Sequence, residues 1–467
     1  MITFFIYKIL LHKKLFNCIR TILFLFNMKR YLLLAITSCC LSFICKANDD
    51  WKKISEDPNY IHSAMKKVTD VMVHDIYSPP VASRIYAYVS VAGYEAATSF
   101  NKNYNSFGGQ LHGLTTLPKP NAAAQYSASL CAVNAMLIVA KTLIISEDTL
   151  SSYRDKLLSV YKSSGMPQNV YDSSIAFSTQ IATAILAWAG KDNYKETRAL
   201  GKFAVLDDSI TWKPTPPAYI AAIEPYWGRM RTFVLDSVKQ FKPVAAFPFS
   251  TDTTSTFFKE AIEVYKQGNN LTDEQKFIAN FWDCNPYKVN VDGHVMFATK
   301  KISPGGHWIN ITALACKQTH ADVAKSTEAY ACVAVTIADA IISCWDEKYR
   351  SIVIRPETYI NNYIDQSWMP LLQTPPFPEY TSGHSVISSS AAIVLTKLFG
   401  ENFSYTDSTE NEFRIQPRSF KSFNAAADEA AVSRFYGGIH YNAAIVNGLA
   451  EGRKIGNYIV QHVKMEN

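Results

Sequence analysis

The sequence lacks a surplus of either charge once its first stretch is set aside. Residues 1–47 hold seven Lys or Arg and no Asp or Glu, which leaves 39 basic against 40 acidic residues beyond them. A body this close to neutral gives no support for nucleic-acid binding, which leaves a basic footprint. Cysteine is equally uninformative as a framework. Beyond position 47 there are only Cys131, Cys284, Cys316, Cys332 and Cys344, an odd number without metal-ligand spacing such as CxxC, which argues against a disulfide framework and makes buried free thiols the expectation. No repeat of 20–50 residues and no low-complexity tract is present, which removes solenoids and propellers. Alternating β-branched runs are also few, and this argues against a sheet protein.

The basic excess of residues 1–47 has a use. From Met28, Lys29-Arg30 precede the apolar run Tyr31 to Thr37, as in an export signal. Two processing sites compete. Ile36-Thr37-Ser38-Cys39 resembles a bacterial lipoprotein box that would attach the chain to a membrane through lipidated Cys39, whereas Cys45-Lys46-Ala47 would precede ordinary cleavage. Residues 1–27 are a third possibility, a membrane anchor with Met28 internal, but Lys8, Lys13, Lys14 and Arg20 interrupt any apolar run of about 18 residues. The expectation is an exported protein of the periplasm or cell envelope.

From residue 50 onward apolar residues recur three, four and seven apart, as in Tyr153, Leu157, Leu158 and Tyr161, so the fold class is all-α, built as helical bundles. Thr272 with Gln275 predicts a capping box ahead of Phe277 and Phe281. Helices are expected over 331–348, 384–399 and 440–463. Between 203 and 250 six prolines (Pro214, Pro216, Pro217, Pro225, Pro243 and Pro248) break the pattern. That stretch divides an N-terminal helical half (48–202) from a C-terminal half (251–467). Further irregular stretches are expected over 284–308 and 401–420.

The chemistry concentrates in three segments. Lys348 and Arg355 are seven residues apart, close enough in register to aim two cations at one point, with Pro356 pushing Arg355 towards extended backbone. Taken alone they read as solvated charges. Ser382-Gly383-His384 stands at the start of a small-residue apolar run, where free helix N–H groups bind anions, although Ser382 is equally an ordinary N-cap. Arg434 and His440 flank Gly437-Gly438, which turns the chain into a last helix.

Together these segments resemble the signature of the vanadium haloperoxidase and type-2 phosphatidic acid phosphatase superfamily. The signature is Lys, six residues, Arg-Pro; then Pro-Ser-Gly-His; then Ser-Arg, five residues, His. Here it stands as Lys348…Arg355-Pro356, Thr381-Ser382-Gly383-His384 and Ser433-Arg434…His440. Trp212-Lys213-Pro214-Thr215-Pro216-Pro217, Trp282-Asp283 and Gly305-Gly306-His307-Trp308 extend the similarity towards the bacterial haloperoxidase-like branch. The resemblance implies two four-helix bundles, with a vanadate or phosphate site at the end of the second.

In that site Lys348, Arg355, Ser382, Gly383, Arg434 and His440 would bind the oxyanion, and His440 would ligate vanadium. His384 would act as acid and base, while Lys348 and Arg434 would take part in catalysis. The haloperoxidase reading needs vanadate, hydrogen peroxide and a halide. The phosphatase reading needs no metal: His440 would attack a phosphate ester. A third reading is an envelope protein that binds the anion without turnover.

Two departures stand out. Thr381 replaces the usual proline, and Ala444 stands where a carboxylate is expected one helical turn after His440. On the sequence alone the second departure argues against a strongly nucleophilic His440, and so against the phosphatase. Phe377 occupies the position that is phenylalanine in chloroperoxidase-like members and histidine in bromoperoxidases.

Overall fold

The structure, a computed structural model, describes residues 51–292 and 294–466 with six isolated positions before them (Leu15, Phe16, Arg20, Phe24, Phe26 and Met28). Both processing sites of the leader lie outside the described residues.

Five helices form the N-terminal bundle: α1 (Asn59–His74), α2 (Pro79–Thr98), α3 (Ala128–Leu143), α4 (Glu147–Ser163) and α5 (Gln168–Ala189). Helix α2 is buried along its whole length: Ala, Val and Tyr line most of it, and its two charged residues are paired, Arg84 with Asp192 and Glu95 with the Ser106 hydroxyl and the Phe107 N–H. After the short α6 (Tyr194–Arg198) the chain runs without an α-helix to Ser255, as the prolines require, with one 3₁₀ turn at Trp227–Arg229. The stretch is nevertheless held in place. Asp339 is buried within a helix of the other half, where its carboxylate accepts from the N–H groups of Phe233 (2.6 Å), Val234 (2.8 Å) and Leu235 (3.0 Å).

The remaining helices are α7 (Thr256–Asn269), α8 (Asp273–Phe281), α9 (Pro304–Gln318), α10 (Val323–Ser351), α11 (Pro356–Tyr363), α12 (Gly383–Phe399), α13 (Phe423–Tyr436) and α14 (Asn442–His462). The capping box of α8 forms as predicted from Thr272 and Gln275. Two small antiparallel hairpins complete the described chain: β1 (Val289–Asp292) with β2 (Val295–Ala298), and β3 (Tyr405–Asp407) with β4 (Arg418–Phe420). They fall in the two stretches expected to be irregular. Helix α9 also starts earlier than expected, because Ser303 caps it through the Gly306 N–H and Pro304 takes the first turn, where a missing N–H costs nothing.

Helix α10 joins the halves. It packs against α2 on one side and α12 on the other, and one apolar core runs from Ile61 to Met465. By length and composition α10 could cross a membrane, but its apolar stretch is wholly buried among its neighbours, as in a central core helix. Helices α12 and α14 approach most closely at Gly452, where a Cβ would lie 2.2 Å from the Val386 carbonyl oxygen. Gly448, one turn earlier, faces Ser385 and the Ser382 carbonyl in the same way. Small residues here let the chain just before α14 reach the N-terminus of α12.

Candidate active site

The site is assembled from the end of α10, the loop before α12, the end of α13 and the turn before α14. Arg355 follows α10 and takes the extended backbone that Pro356 imposes (φ −74°, ψ 150°). Its guanidinium, fully buried, donates through Nε to the Phe377 carbonyl (2.9 Å) and through Nη1 to the Ile439 carbonyl (2.8 Å). Nη1 also lies 3.2 Å from His440 Nε2, and Nη2 has no partner. Arg434, at the end of α13, donates from Nη1 to the Trp282 carbonyl (2.8 Å) and leaves Nε unpaired.

Ser382 caps α12, its hydroxyl accepting from the Ser385 N–H, while its own N–H donates to the Ala444 carbonyl (3.1 Å). Gly383 and His384 are the first two helical residues, so their N–H groups have no acceptor within the helix. Together with Arg434 and His440 they line a cavity of about 30 Å³, walled by Trp345, Phe377, Tyr287 and Cys284. Several buried polar atoms lack partners at or beside it, among them Arg355 Nη2, Arg434 Nε, Asn285 Nδ2, His384 Nε2, Ser385 Oγ and Glu379 Oε2. Two of these, Arg355 Nη2 and Arg434 Nε, are cationic donors, costly to bury unpaired, and their place beside a helix N-terminus suits a tetrahedral oxyanion such as vanadate.

The expected site residues do not all stand alike. Arg434, Gly383, His384 and His440 meet at the cavity, with Arg355 against His440. Lys348 differs from the expectation, because its three N–H bonds point at the carbonyls of Pro378 (3.1 Å), Glu379 (3.0 Å) and Thr381. An ammonium has three donors, so the loop carbonyls use them all. Lys348 therefore fixes the loop that delivers Ser382, and its buried charge adds to the positive field. Burial pushes its pKa down to about 8.

The expectation built on Ala444 needs correction. His440 does have a carboxylate partner, Glu379, whose Oε1 accepts from Nδ1 at 2.7 Å and from the Tyr441 N–H at 3.0 Å. It comes from the loop before α12 instead of from α14. Glu379 is buried, and burial raises its pKa to about 7 while Arg355 and Lys348 draw it back down. His440 is held well below the usual imidazole range, first by burial and then by Arg355, Lys348 and Arg434. Its ring is therefore neutral, with the proton on Nδ1 towards Glu379 and the lone pair on Nε2, which lies 3.2 Å from Arg355 Nη1. His384 is likewise held low, by burial and then by Arg434.

Sequence reasoning missed Glu379 because it sought a partner one turn along the same helix. The only linear signal was an acid two residues before Thr381. It also missed Glu451, buried in α14, which accepts from Thr381 Oγ1 (2.9 Å) and Ser343 Oγ (2.8 Å) and so anchors the threonine that replaces proline.

Comparison with known proteins shows the family. Residues 328–466 match the family described as the VCPO second helical-bundle domain. Among solved structures, one described as the first bacterial vanadium-dependent iodoperoxidase is 49% identical, superposes with a TM-score of 0.84, and pairs 88% of this chain with 97% of that one. Holo and apo bacterial vanadium-dependent chloroperoxidases share the fold at 15% identity, with TM-scores of 0.61 and 0.62 over 83% of this chain and 93% and 95% of theirs. No curated protein matches. The three motif segments, the cavity they enclose and nearly half-identity over most of the chain place this protein in the vanadium-dependent haloperoxidase family.

Proposed function

We propose that the chain is a vanadate-dependent haloperoxidase that oxidises iodide with hydrogen peroxide, working through His440, His384 and the arginines around them. The observation that carries this reading is the set of unpaired donors facing a neutral His440 at the N-terminus of α12. The choice of iodide rests on the 49% identical iodoperoxidase.

His440 Nε2, Arg355, Arg434 and the N–H groups of Gly383 and His384 would hold vanadate, which when bound supplies Lewis-acid activation of peroxide towards halide. Glu379 keeps the His440 proton on Nδ1 and so leaves Nε2 unprotonated. The guanidiniums of Arg355 and Arg434, both buried, oppose negative charge where each donor counts for more than in water. His384, low in pKa and with Nε2 unpaired, is placed to take a proton from incoming hydrogen peroxide and to return it to the departing oxygen. Trp345 and Phe377 supply an apolar wall that suits a large, weakly hydrated anion.

The Glu379–His440 pair would also orient a nucleophile, so a phosphohistidine route remains the second reading of the site. One experiment separates the two: iodide, bromide and chloride oxidation by the vanadate-loaded protein, beside phosphate-ester hydrolysis by the vanadate-free form. Vanadate-dependent iodide oxidation that disappears in His440→Ala supports the haloperoxidase. Hydrolysis inhibited by vanadate, without halide oxidation, would sink it. The basic and apolar leader supports export to the periplasm or cell envelope, with Cys39 lipidation tested by the N-terminal mass of the mature chain.

A further inference from the structure

Behind the cavity wall, three distant segments bring Cys284, His307 and Glu410 together. All three are buried, and their ligating atoms lie within 4.8 Å of one another. His307 Nδ1 is 3.4 Å from Cys284 Sγ and 3.3 Å from Glu410 Oε1. A ring nitrogen forms one good hydrogen bond, yet two ligand atoms face this one, and Glu410 Oε1 has no hydrogen-bond partner.

The two distances from His307 Nδ1 are those between neighbouring ligands on a tetrahedral metal. With bonds of about 2.0–2.1 Å to nitrogen or oxygen and about 2.3 Å to sulfur, tetrahedral edges come to roughly 3.3 Å for N···O and roughly 3.5 Å for S···N. The outer contacts fit too. His307 Nε2 meets Asp407 Oδ2 at 2.8 Å, the carboxylate that a metal-bound histidine commonly has behind it. The other oxygen of Asp407 is already taken by the Thr409 N–H (3.0 Å) and hydroxyl (2.7 Å), so Asp407 orients and does not ligate.

We propose that Cys284, His307 and Glu410 bind a zinc ion, with Asp407 orienting His307 and water completing the shell. A thiolate, an imidazole and a carboxylate match zinc's borderline softness, whereas magnesium or calcium would take oxygen ligands. The absence of any CxxC spacing is no obstacle, because the ligands come from the turn after α8, the first turn of α9 and the loop after β3. The ion would brace the wall of the active site. Trp282 stacks on the His307 ring (4.6 Å, 24°), and its carbonyl accepts from Arg434.

The test uses the full chain without vanadate, so that its outcome is independent of the haloperoxidase reading. After treatment with a chelator, the protein is titrated with cobalt(II). The expected result is a near-ultraviolet thiolate-to-cobalt band with the visible bands of four-coordinate cobalt, saturating at a single equivalent and displaced by zinc. Cys284→Ser should lose the thiolate band, and Asp407→Asn should weaken cobalt binding by about 10–100-fold. Should Cys284→Ser fail to fold, Glu410→Gln carries the test through its loss of affinity. A wild-type protein that gives no cobalt spectrum, a thiolate band that survives in Cys284→Ser, or unchanged affinity in Glu410→Gln overturns the site.

Discussion

Glu379 Oε1 and His440 Nδ1 stand 2.7 Å apart across 61 residues of chain. The carboxylate behind the candidate vanadium ligand thus arrives with the α12 loop, and the same oxygen also accepts from the N–H of Tyr441, the residue after His440. One group sets both the tautomer of the ring and the entry of the backbone into α14.

Glu379→Gln should therefore lower vanadate affinity and halide turnover by roughly 10–100-fold, the usual cost of losing a partner behind a metal-bound histidine. Vanadate titration of the purified variant checks it. Wild-type affinity would mean that Glu379 does not position His440.

Arg434→Ala should weaken oxyanion binding by about 1.5–3 kcal/mol, the worth of a hydrogen bond to a charged group. The same loss should appear with phosphate as a competing anion, because the guanidinium recognises oxygens and not the central atom. Equal phosphate inhibition in variant and wild type would count against its place at the oxyanion.

Lys348→Met separates a loop anchor from an oxyanion ligand. Removing the ammonium leaves three carbonyls at the buried loop unpaired, so the vanadate-free variant should lose about 3 kcal/mol or more of unfolding free energy by urea titration. A side chain that served only the anion would leave that stability unchanged.

Gly452→Ala should push α12 and α14 apart, because the new Cβ would sit 2.2 Å from the Val386 carbonyl oxygen. Overpacking against backbone costs about 1–3 kcal/mol or more. The two ends of the site ride on these helices, so vanadate affinity should fall with the melting temperature. Loss of one without the other would contradict this coupling.

His62 supplies a pH dependence of stability. Buried beside Tyr330, its pKa is pushed down from 6.5 to about 4, chiefly by burial. A depressed histidine leaves the unfolded chain holding more protons between those values, so its contribution is full above pH 6.5 and is lost as pH falls through about 4. The amount is ~3 kcal/mol. Urea unfolding at pH 7 and pH 4.5 should show a smaller difference in His62→Gln than in wild type, and an identical difference would refute the assignment.

Much of this protein could be read from its sequence alone. Apolar periodicity determined the helices, since burying one face of a helix needs only local spacing: the predicted 384–399 and 440–463 match α12 and α14 to within two residues, and 331–348 lies inside α10, which starts eight residues earlier. Thr272 with Gln275 and Arg355 before Pro356 behaved as local sterics and capping dictate. The three motifs named the cationic and imidazole residues because family spacing is linear information.

Tertiary structure decided which of those residues face the cavity and which support it. Lys348 turned to the loop carbonyls, Ser382 caps α12, and the missing acid at position 444 was replaced by Glu379. Such partners are set by how α12 and α14 pack at Gly452 and Gly448, and a hydrogen bond between residues 61 apart leaves no periodic trace in the chain. The same reason hid the grouping of Cys284, His307 and Glu410, three residues unrelated in sequence until α9 and the two hairpin regions fold against one another.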